Sequence, residues 1–429
     1  MSLQVSGITQ EVFLLINKDY KNVIYNAGYL LCTQGFAYLA PIIVLGHLIT
    51  TLGIDGFGKY AFALVLMAYF QVVIDYGFAY SSSRAVSQSR DNICQISRIY
   101  FATNFIKIVL TILLYSVLYI IFWSFVNDSN YYTIILSAFL WAFSNSMYPL
   151  WFYQGIERLK VVAVINILSR IMSCICVLYF VRNENDISTA IFSQAFPVLI
   201  GAVYANIYII QKKYINFILP SIKFMMVSLM EGWDYFLATL ASTLLTNSAV
   251  FILGIYHTPS TVGIYAVVER IAKAIVSLFS PLTQSLYPHS CRKFKESFDV
   301  GMSSAIRTGR PLVLLGLIVS LIFILTWWIV SSREDLPQET LAFAFLLAPW
   351  MCLGVLNNVL GIQILSAAGF AKMYSCSFIY SAVFTVIFLL LLAGLYNGYG
   401  AAIAVSSGEL LLSILLLSNI SKVKNQHFI

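Results

Sequence analysis

Charge is scarce in this chain. Only 10% of its 429 residues are Asp, Glu, Lys or Arg, while 60% are hydrophobic. Soluble domains carry about 25% charged residues, so an ordinary water-soluble fold is excluded. Histidine is rarer still. His47, His257, His289 and His427 are scattered along the chain, which excludes a histidine-built metal centre. The seven cysteines are odd in number, and none falls in an outward connection of the topology derived below, which argues against a disulfide framework. Cys174 and Cys176, two apart on a helix, face different ways and do not form a metal pair. No Walker motif and no HExxH occur, so ATP hydrolysis and zinc-protease chemistry are excluded. Long outward connections are also missing, and with them the outward domain that a membrane enzyme acting on glycans would use.

What the chain does have is apolar sequence in blocks of membrane-crossing length. A spanning helix needs about 20 predominantly apolar residues. Twelve such stretches are predicted, at approximately 23–46, 58–80, 98–126, 131–153, 160–181, 187–211, 231–255, 262–287, 306–330, 340–366, 373–395 and 399–421. The fold class expected is an all-α integral membrane protein. The first twenty residues hold no long apolar h-region and no A-x-A-type site, so the first span is expected to double as the targeting signal. Of the 25 Lys and Arg residues, 18 fall at the termini or in every second connection. The opposite connections hold only Lys59, Arg182 and Arg333. By the positive-inside rule both termini are cytoplasmic, which requires an even number of spans. The net charge of +7 therefore reports topology, and no nucleic-acid partner is expected.

The charges that remain are the informative ones. Glu269, Arg270 and Lys273 lie within an apolar stretch, and Asp75, Lys107, Arg170, Asp234 and Glu409 lie in others. A charge at membrane depth costs about 2.5–3.5 kcal/mol on insertion scales, so it marks a pathway, a ligand or an intramembrane pair. Several of them in one body predict a polar cavity through which something charged moves. Tyr235, Thr239, Ser242 and Thr246 recur at helical spacing on the seventh stretch, either lining such a cavity or joining helices.

The chain also reads as two copies of one plan. Gly58-Lys-Tyr60-Ala61 and Gly263-Ile-Tyr265-Ala266 open the second and eighth stretches, and a basic segment follows each. The longest polar connection, about residues 211–230, separates six spans from six, giving predicted lobes of 1–214 and 215–429. Two halves entering from the same side make a parallel repeat with an axis along the membrane normal.

Three stretches carry a resemblance. Trp151-Phe-Tyr-Gln154-Gly155 running to Arg158, with Asn166 to Arg170, resembles the span-four-to-five junction of bacterial O-antigen and polysaccharide-unit flippases. Asp75-Tyr-Gly77-Phe78 with Ser83-Arg84 resembles the end of their second span, and Gly263 to Arg270 with Leu286-Tyr287-Pro288 their eighth. The resemblance implies two six-helix bundles facing each other across a central cavity, like the multidrug and oligosaccharidyl-lipid exporters. It implies no cofactor, and an undecaprenyl-pyrophosphate-linked oligosaccharide as substrate. A polysaccharide polymerase and a chain-length regulator are the further membrane partners to expect.

A pyrophosphate needs cationic donors at depth. Arg270, Arg170 and Lys273 are the expected substrate contacts. Lys107 is a fourth, unless it snorkels to the interface. Tyr235, Thr239 and Ser242 are the expected wall. Glu269, Asp75 and Asp234 are the acids available for ion coupling, although Glu269 and Lys273 can instead pair as i,i+4 neighbours. The alternatives are a multidrug or cation exporter of the same fold, for which these cations have the wrong sign, and a membrane glycan polymerase or ligase.

Overall fold

A computed structural model describes residues 43–125, 129–156, 158–333 and 337–427. Most of the first predicted span lies outside them, as does Glu157. The described residues are helical, with no strand among them. Helix α1 covers residues 43–75 and is followed by α2 (Phe78–Gln88), α3 (Ile93–Phe125), α4 (Ser129–Ser146), α5 (Leu150–Gly155) and α6 (Leu159–Phe180). Next come α7 (Ile187–Gln211), α8 (Ile222–Tyr256), α9 (Pro259–Ser277) and α10 (Ser280–Glu296). The last are α11 (Phe298–Arg333), α12 (Gln338–Asn358), a π-helical turn (Val359–Ser366) and α13 (Ala371–His427). Among the described residues, eight helical stretches are long and apolar enough to cross a membrane. The chain is a multi-pass membrane protein.

Several predicted spans turn out to be interrupted. The stretch predicted as 131–153 is two helices, because Pro149 has no amide hydrogen to continue α4. The stretch predicted as 262–287 is also two, with Leu278 and Phe279 between α9 and α10. Helix α1 is broken by Gly53 at φ 67°, and it ends at Tyr76 and Gly77, at φ 46° and 75°. A left-handed tyrosine is uncommon, and it is held here by packing of the turn against α8. A Cβ on Gly77 would sit 2.6 Å from the Phe236 nitrogen, and the Tyr76 ring stacks on Phe236. Helix α13 reverses at Tyr396 and Asn397. A Cβ on Gly400 would lie 1.9 Å from the Leu392 carbonyl oxygen, a proximity that only a hairpin allows. Ser381 Oγ donating to the Gly408 carbonyl at 2.6 Å closes the same hairpin.

Elsewhere the helix starts follow ordinary capping chemistry. Ser221 accepts from the Phe224 amide at α8, nine residues before the predicted start at 231. Thr258 accepts from the Thr261 amide with Pro259 in the first turn of α9.

The tightest crossing joins the two ends of the sequence repeat. A Cβ on Gly58 would lie 1.8 Å from the Pro259 carbonyl oxygen and 2.9 Å from the Gly263 nitrogen. A Cβ on Gly263 would lie 2.3 Å from the Ile54 carbonyl oxygen and 3.2 Å from the Gly58 nitrogen. Each glycine thus faces the other and the carbonyl one turn before it, so the contact is symmetric. In membranes helices associate by close packing, and two glycines let the backbones touch. Around this crossing the largest buried cluster draws Leu48 and Tyr60 from α1 together with Leu253, Tyr265, Phe343 and Leu389.

Candidate functional site

A cavity of about 610 Å³ opens between α1 to α7 and α9. Four ionic side chains line it: Asp75, Lys107, Arg170 and Arg270. Three cations therefore face one carboxylate.

The carboxylate and one cation are spent on each other. Lys107 Nζ lies 2.8 Å from Asp75 Oδ1 and is 1% exposed, so it is locked in place and does not snorkel. Its position follows from the break at Pro149. Ending α4 at Ser146 frees the Ser146 carbonyl, which Lys107 Nζ takes at 2.7 Å. The next freed carbonyl, that of Met147, accepts from Asn206 Nδ2 at 3.0 Å. Gln71 Nε2 donates to the other Asp75 oxygen at 3.3 Å, at the last turn of α1. Removing one partner of a buried pair leaves an uncompensated charge and costs about 3–5 kcal/mol. Lys107→Met and Asp75→Asn should each lower the melting temperature in detergent sharply, and the double variant should recover part of the loss. A double variant as unstable as the two losses added would contradict the pairing.

The two arginines are arranged differently. Arg170 Nε donates to Asn166 Oδ1 at 2.8 Å, one turn earlier on α6. Arg270 sits with its guanidinium carbon 5.5 Å from the ring centres of both Phe57 and Tyr60. Such contacts hold a cation in place and leave its N–H groups free for a ligand. Neither arginine has a carboxylate partner among the described residues. A hydrogen-bonded relay fixes the walls. Ser173 Oγ donates to the Gln194 carbonyl at 3.1 Å, and Gln194 Nε2 donates to the Tyr60 hydroxyl at 2.7 Å. Among the described residues, Arg270 is the sole lining residue from beyond position 198.

A second cavity, about 250 Å³, lies between α8, α9, α12 and α13. It contains Glu269, Lys273 and Glu409. Glu269 and Lys273 pair at 3.0 Å, and Lys273 Nζ also donates to the Thr246 carbonyl at 2.8 Å. Asn357 Nδ2 donates to Glu409 Oε2 at 2.6 Å. The charges of α9 are therefore divided between two cavities. At 100° per residue, Glu269 and Lys273 share a face and Arg270 points to the neighbouring one.

This arrangement has known relatives. A sequence profile of the family described as "Polysaccharide biosynthesis protein" matches residues 23–293, more than half of the chain. The chain belongs to this family. It is 28% identical over 396 residues to a protein of Escherichia coli K12 named "Putative O-antigen transporter", covering 91% of this chain and 95% of that one. A protein of the same name from Shigella dysenteriae is 25% identical, covering 90% and 97%. Among solved structures, an inward-facing multidrug resistance MATE family transporter superposes with a TM-score of 0.69 at 12% identity, covering 90% of this chain and 96% of the other. The lipid II flippase MurJ, in an inward closed conformation, superposes with 0.66 at 14% identity, covering 91% and 87%. These superpositions give the chain its fold. The relatives are named as transporters and a flippase, in line with the expectation that the chain is not an enzyme.

Of the residues singled out from the family member's sequence, the larger cavity gathers Arg270, Arg170, Lys107 and Asp75, and the smaller one Lys273 and Glu269. Tyr235 stacks on Tyr80, itself a lining residue, with ring centres 6.0 Å apart. Thr239, Ser242 and Asp234 line neither cavity, and Asp234 is exposed. Thr239 Oγ1 is spent on the Tyr235 carbonyl one turn back, at 2.7 Å. The sequence reading gave no site role to the amides Asn145, Gln154, Asn166 and Gln194 or to the indoles of Trp141 and Trp151, all of which line the larger cavity. One signal for them was available. Asn166, Ser169, Arg170 and Ser173 fall at i, i+3, i+4 and i+7, a polar stripe on an otherwise apolar helix.

Proposed function

We propose that the chain is a flippase that carries undecaprenyl-pyrophosphate-linked oligosaccharide units from the cytoplasmic to the periplasmic leaflet of a bacterial inner membrane. The observation that carries this reading is the pair of arginines, Arg170 and Arg270, lining one cavity without a carboxylate partner among the described residues. Guanidinium groups offer charge-assisted hydrogen bonds that replace the water a pyrophosphate loses. The lipid tail stays in the bilayer while the head crosses. A multidrug or cation exporter would place carboxylates where these arginines stand.

The body that moves is two lobes, 1–214 and 215–429, with twelve spans and both termini in the cytoplasm. The symmetric contact of Gly58 and Gly263, 205 residues apart, supports a parallel two-fold relation between them. Interruptions at similar, though not identical, places in the second and eighth predicted spans, at Tyr76 and Gly77 and at Leu278 and Phe279, support it too. Arg270 belongs to the second lobe and reaches a cavity otherwise built by the first, so a ligand between Arg170 and Arg270 ties the lobes together. Coupling of a proton or cation would fall to the acids Glu269, Asp75 and Asp234. With a negative cell interior, outward movement of an anionic head is downhill by about 2.3 kcal/mol per charge per 100 mV, and return of the empty cationic cavity is favoured as well. A polysaccharide polymerase and a chain-length regulator are its expected membrane partners.

The test is deletion and complementation, read as the leaflet in which lipid-linked units accumulate. Units held on the cytoplasmic face and released by the wild-type chain support the reading. Units that already reach the periplasmic face in the deletion strain, unpolymerised, overturn it in favour of a polymerase or ligase.

A further inference from the structure

We propose that the larger cavity contains a second subsite, a wall of indoles and amides that binds the saccharide and selects which glycan is accepted, separate from the arginines that take the anion. The proposal rests on the flippase reading of the same cavity. Its residues are Trp141 and Asn145 on α4, Trp151 and Gln154 on α5, and Gln194 on α7.

The hydrogen-bond inventory sorts the two subsites. Asn145 commits Nδ2 to the Trp141 carbonyl at 2.9 Å, which leaves its Oδ1 without a partner among the described residues. Gln194 commits Nε2 to the Tyr60 hydroxyl and the Ala190 carbonyl, at 2.7 and 3.1 Å, which leaves its Oε1 in the same state. Gln154 is exposed to the cavity with both ends of its amide uncommitted among the described residues. The wall therefore offers acceptors as well as donors. A pyrophosphate carries only acceptors and is repelled by carbonyl oxygens, whereas an arginine offers only donors and suits it. A sugar hydroxyl both donates and accepts, so it is the group these amides complement. The flat apolar face of half-buried Trp141 gives the C–H face of a pyranose ring a surface to lie on, with the buried Trp151 behind it as support.

The wall is also held in place before a ligand arrives. The Tyr148 hydroxyl donates to the Val162 carbonyl at 2.6 Å, tying the α4–α5 break to α6. Trp151 is 3% exposed and packs edge-on against Phe152, with ring centres 5.9 Å apart. Selection by a rigid wall avoids the ordering cost that a flexible loop would incur.

The experiment measures binding of two lipids to the purified full-length chain. One is undecaprenyl pyrophosphate without sugar. The other is the lipid-linked unit extracted from cells in which the gene has been deleted. The wild-type chain should bind the sugar-bearing lipid more tightly. A Gln154→Leu/Asn145→Leu variant should lose about tenfold or more of that preference and hold the bare lipid nearly as before, since each lost neutral hydrogen bond is worth about threefold to tenfold. Retained affinity for the bare lipid also reports that the variant is folded. If it is lost, the milder Trp141→Phe and Gln154→Ala variants serve, with the same ratio as readout. Arg170→Ala should weaken both lipids together. A wall variant that holds the bare lipid and keeps the full preference overturns the saccharide subsite while leaving the flippase reading intact. A wild-type chain that binds neither lipid overturns the flippase reading itself.

Discussion

Replacing Arg270 with alanine is expected to abolish export of the lipid-linked unit while the amount of folded protein in the membrane stays normal. The expectation follows from how the side chain is held. Its guanidinium is cradled by the rings of Phe57 and Tyr60 and has no ion pair among the described residues to lose. Removing it leaves no buried carboxylate unpaired, so the stability cost is that of the cation–π contacts, about 0.5–2 kcal/mol. The ligand, in contrast, loses charge-assisted hydrogen bonds worth about 1.5–3 kcal/mol each, roughly tenfold to a hundredfold per bond. Arg170→Ala should act in the same direction. Lys273→Ala should be milder for substrate binding, because Lys273 faces the smaller cavity with Glu269. The measurement is surface polysaccharide on gels beside membrane protein level, and normal export by Arg270→Ala would remove that residue from the substrate path.

The second large effect concerns the glycine crossing. Gly58→Ala and Gly263→Ala should each destabilise the protein by about 1–3 kcal/mol, the range for overpacking a close contact. The added Cβ would meet backbone oxygen at 1.8 and 2.3 Å, and backbone cannot rotate away as a side chain can. The two glycines open the same gap, so the double variant should cost clearly less than the sum of the singles. Gly354→Ala is the control. It lies mid-helix with nothing within 4 Å of its Cβ position, so it should be neutral or stabilise by about 1 kcal/mol through helix propensity. Thermal melting in detergent checks all four. Additive losses at the two glycines would contradict a shared contact, and a control as damaged as the singles would show that the method does not report packing.

How much of this was readable from the residues differs by feature. The all-helical membrane character was legible because lipid forces every backbone polar group into a helix, and the apolar blocks are long. Span 187–211 coincides with α7, and 160–181 falls within one residue of α6 at either end. The interruptions were not legible from hydropathy, since Tyr76, Gly77, Leu278 and Phe279 sit in sequence that is apolar on either side. At Tyr76 and Gly77 the cause is tertiary, with Gly77 pressed against Phe236. Pro149 is the exception, since a residue with no amide hydrogen is a break visible in the sequence itself.

The ionic residues of the site were legible because a charge in an apolar block stands out. Their partners were not. Asp75 and Lys107 lie 32 positions apart and meet only because α4 ends at Ser146 and frees a carbonyl beside them. The division of Arg270 from Lys273 follows from helical angle and was available in principle. The polar stripe on α8 had the right periodicity for a cavity wall, yet Thr239 and Thr246 bond carbonyls of their own helix. Periodicity locates a face and leaves open whether its hydroxyls are already spent.

The central claim is that an anionic lipid head crosses through the cavity of Arg170 and Arg270. The measurement that tests it most directly is transbilayer movement of a lipid-linked oligosaccharide in proteoliposomes containing only the purified chain. The account predicts that the wild-type chain moves the lipid, that an imposed potential alters the rate, and that the Arg170→Ala/Arg270→Ala double variant does not move it. Equal rates for the wild-type and double-variant chains, or no movement with the wild-type chain, would contradict it.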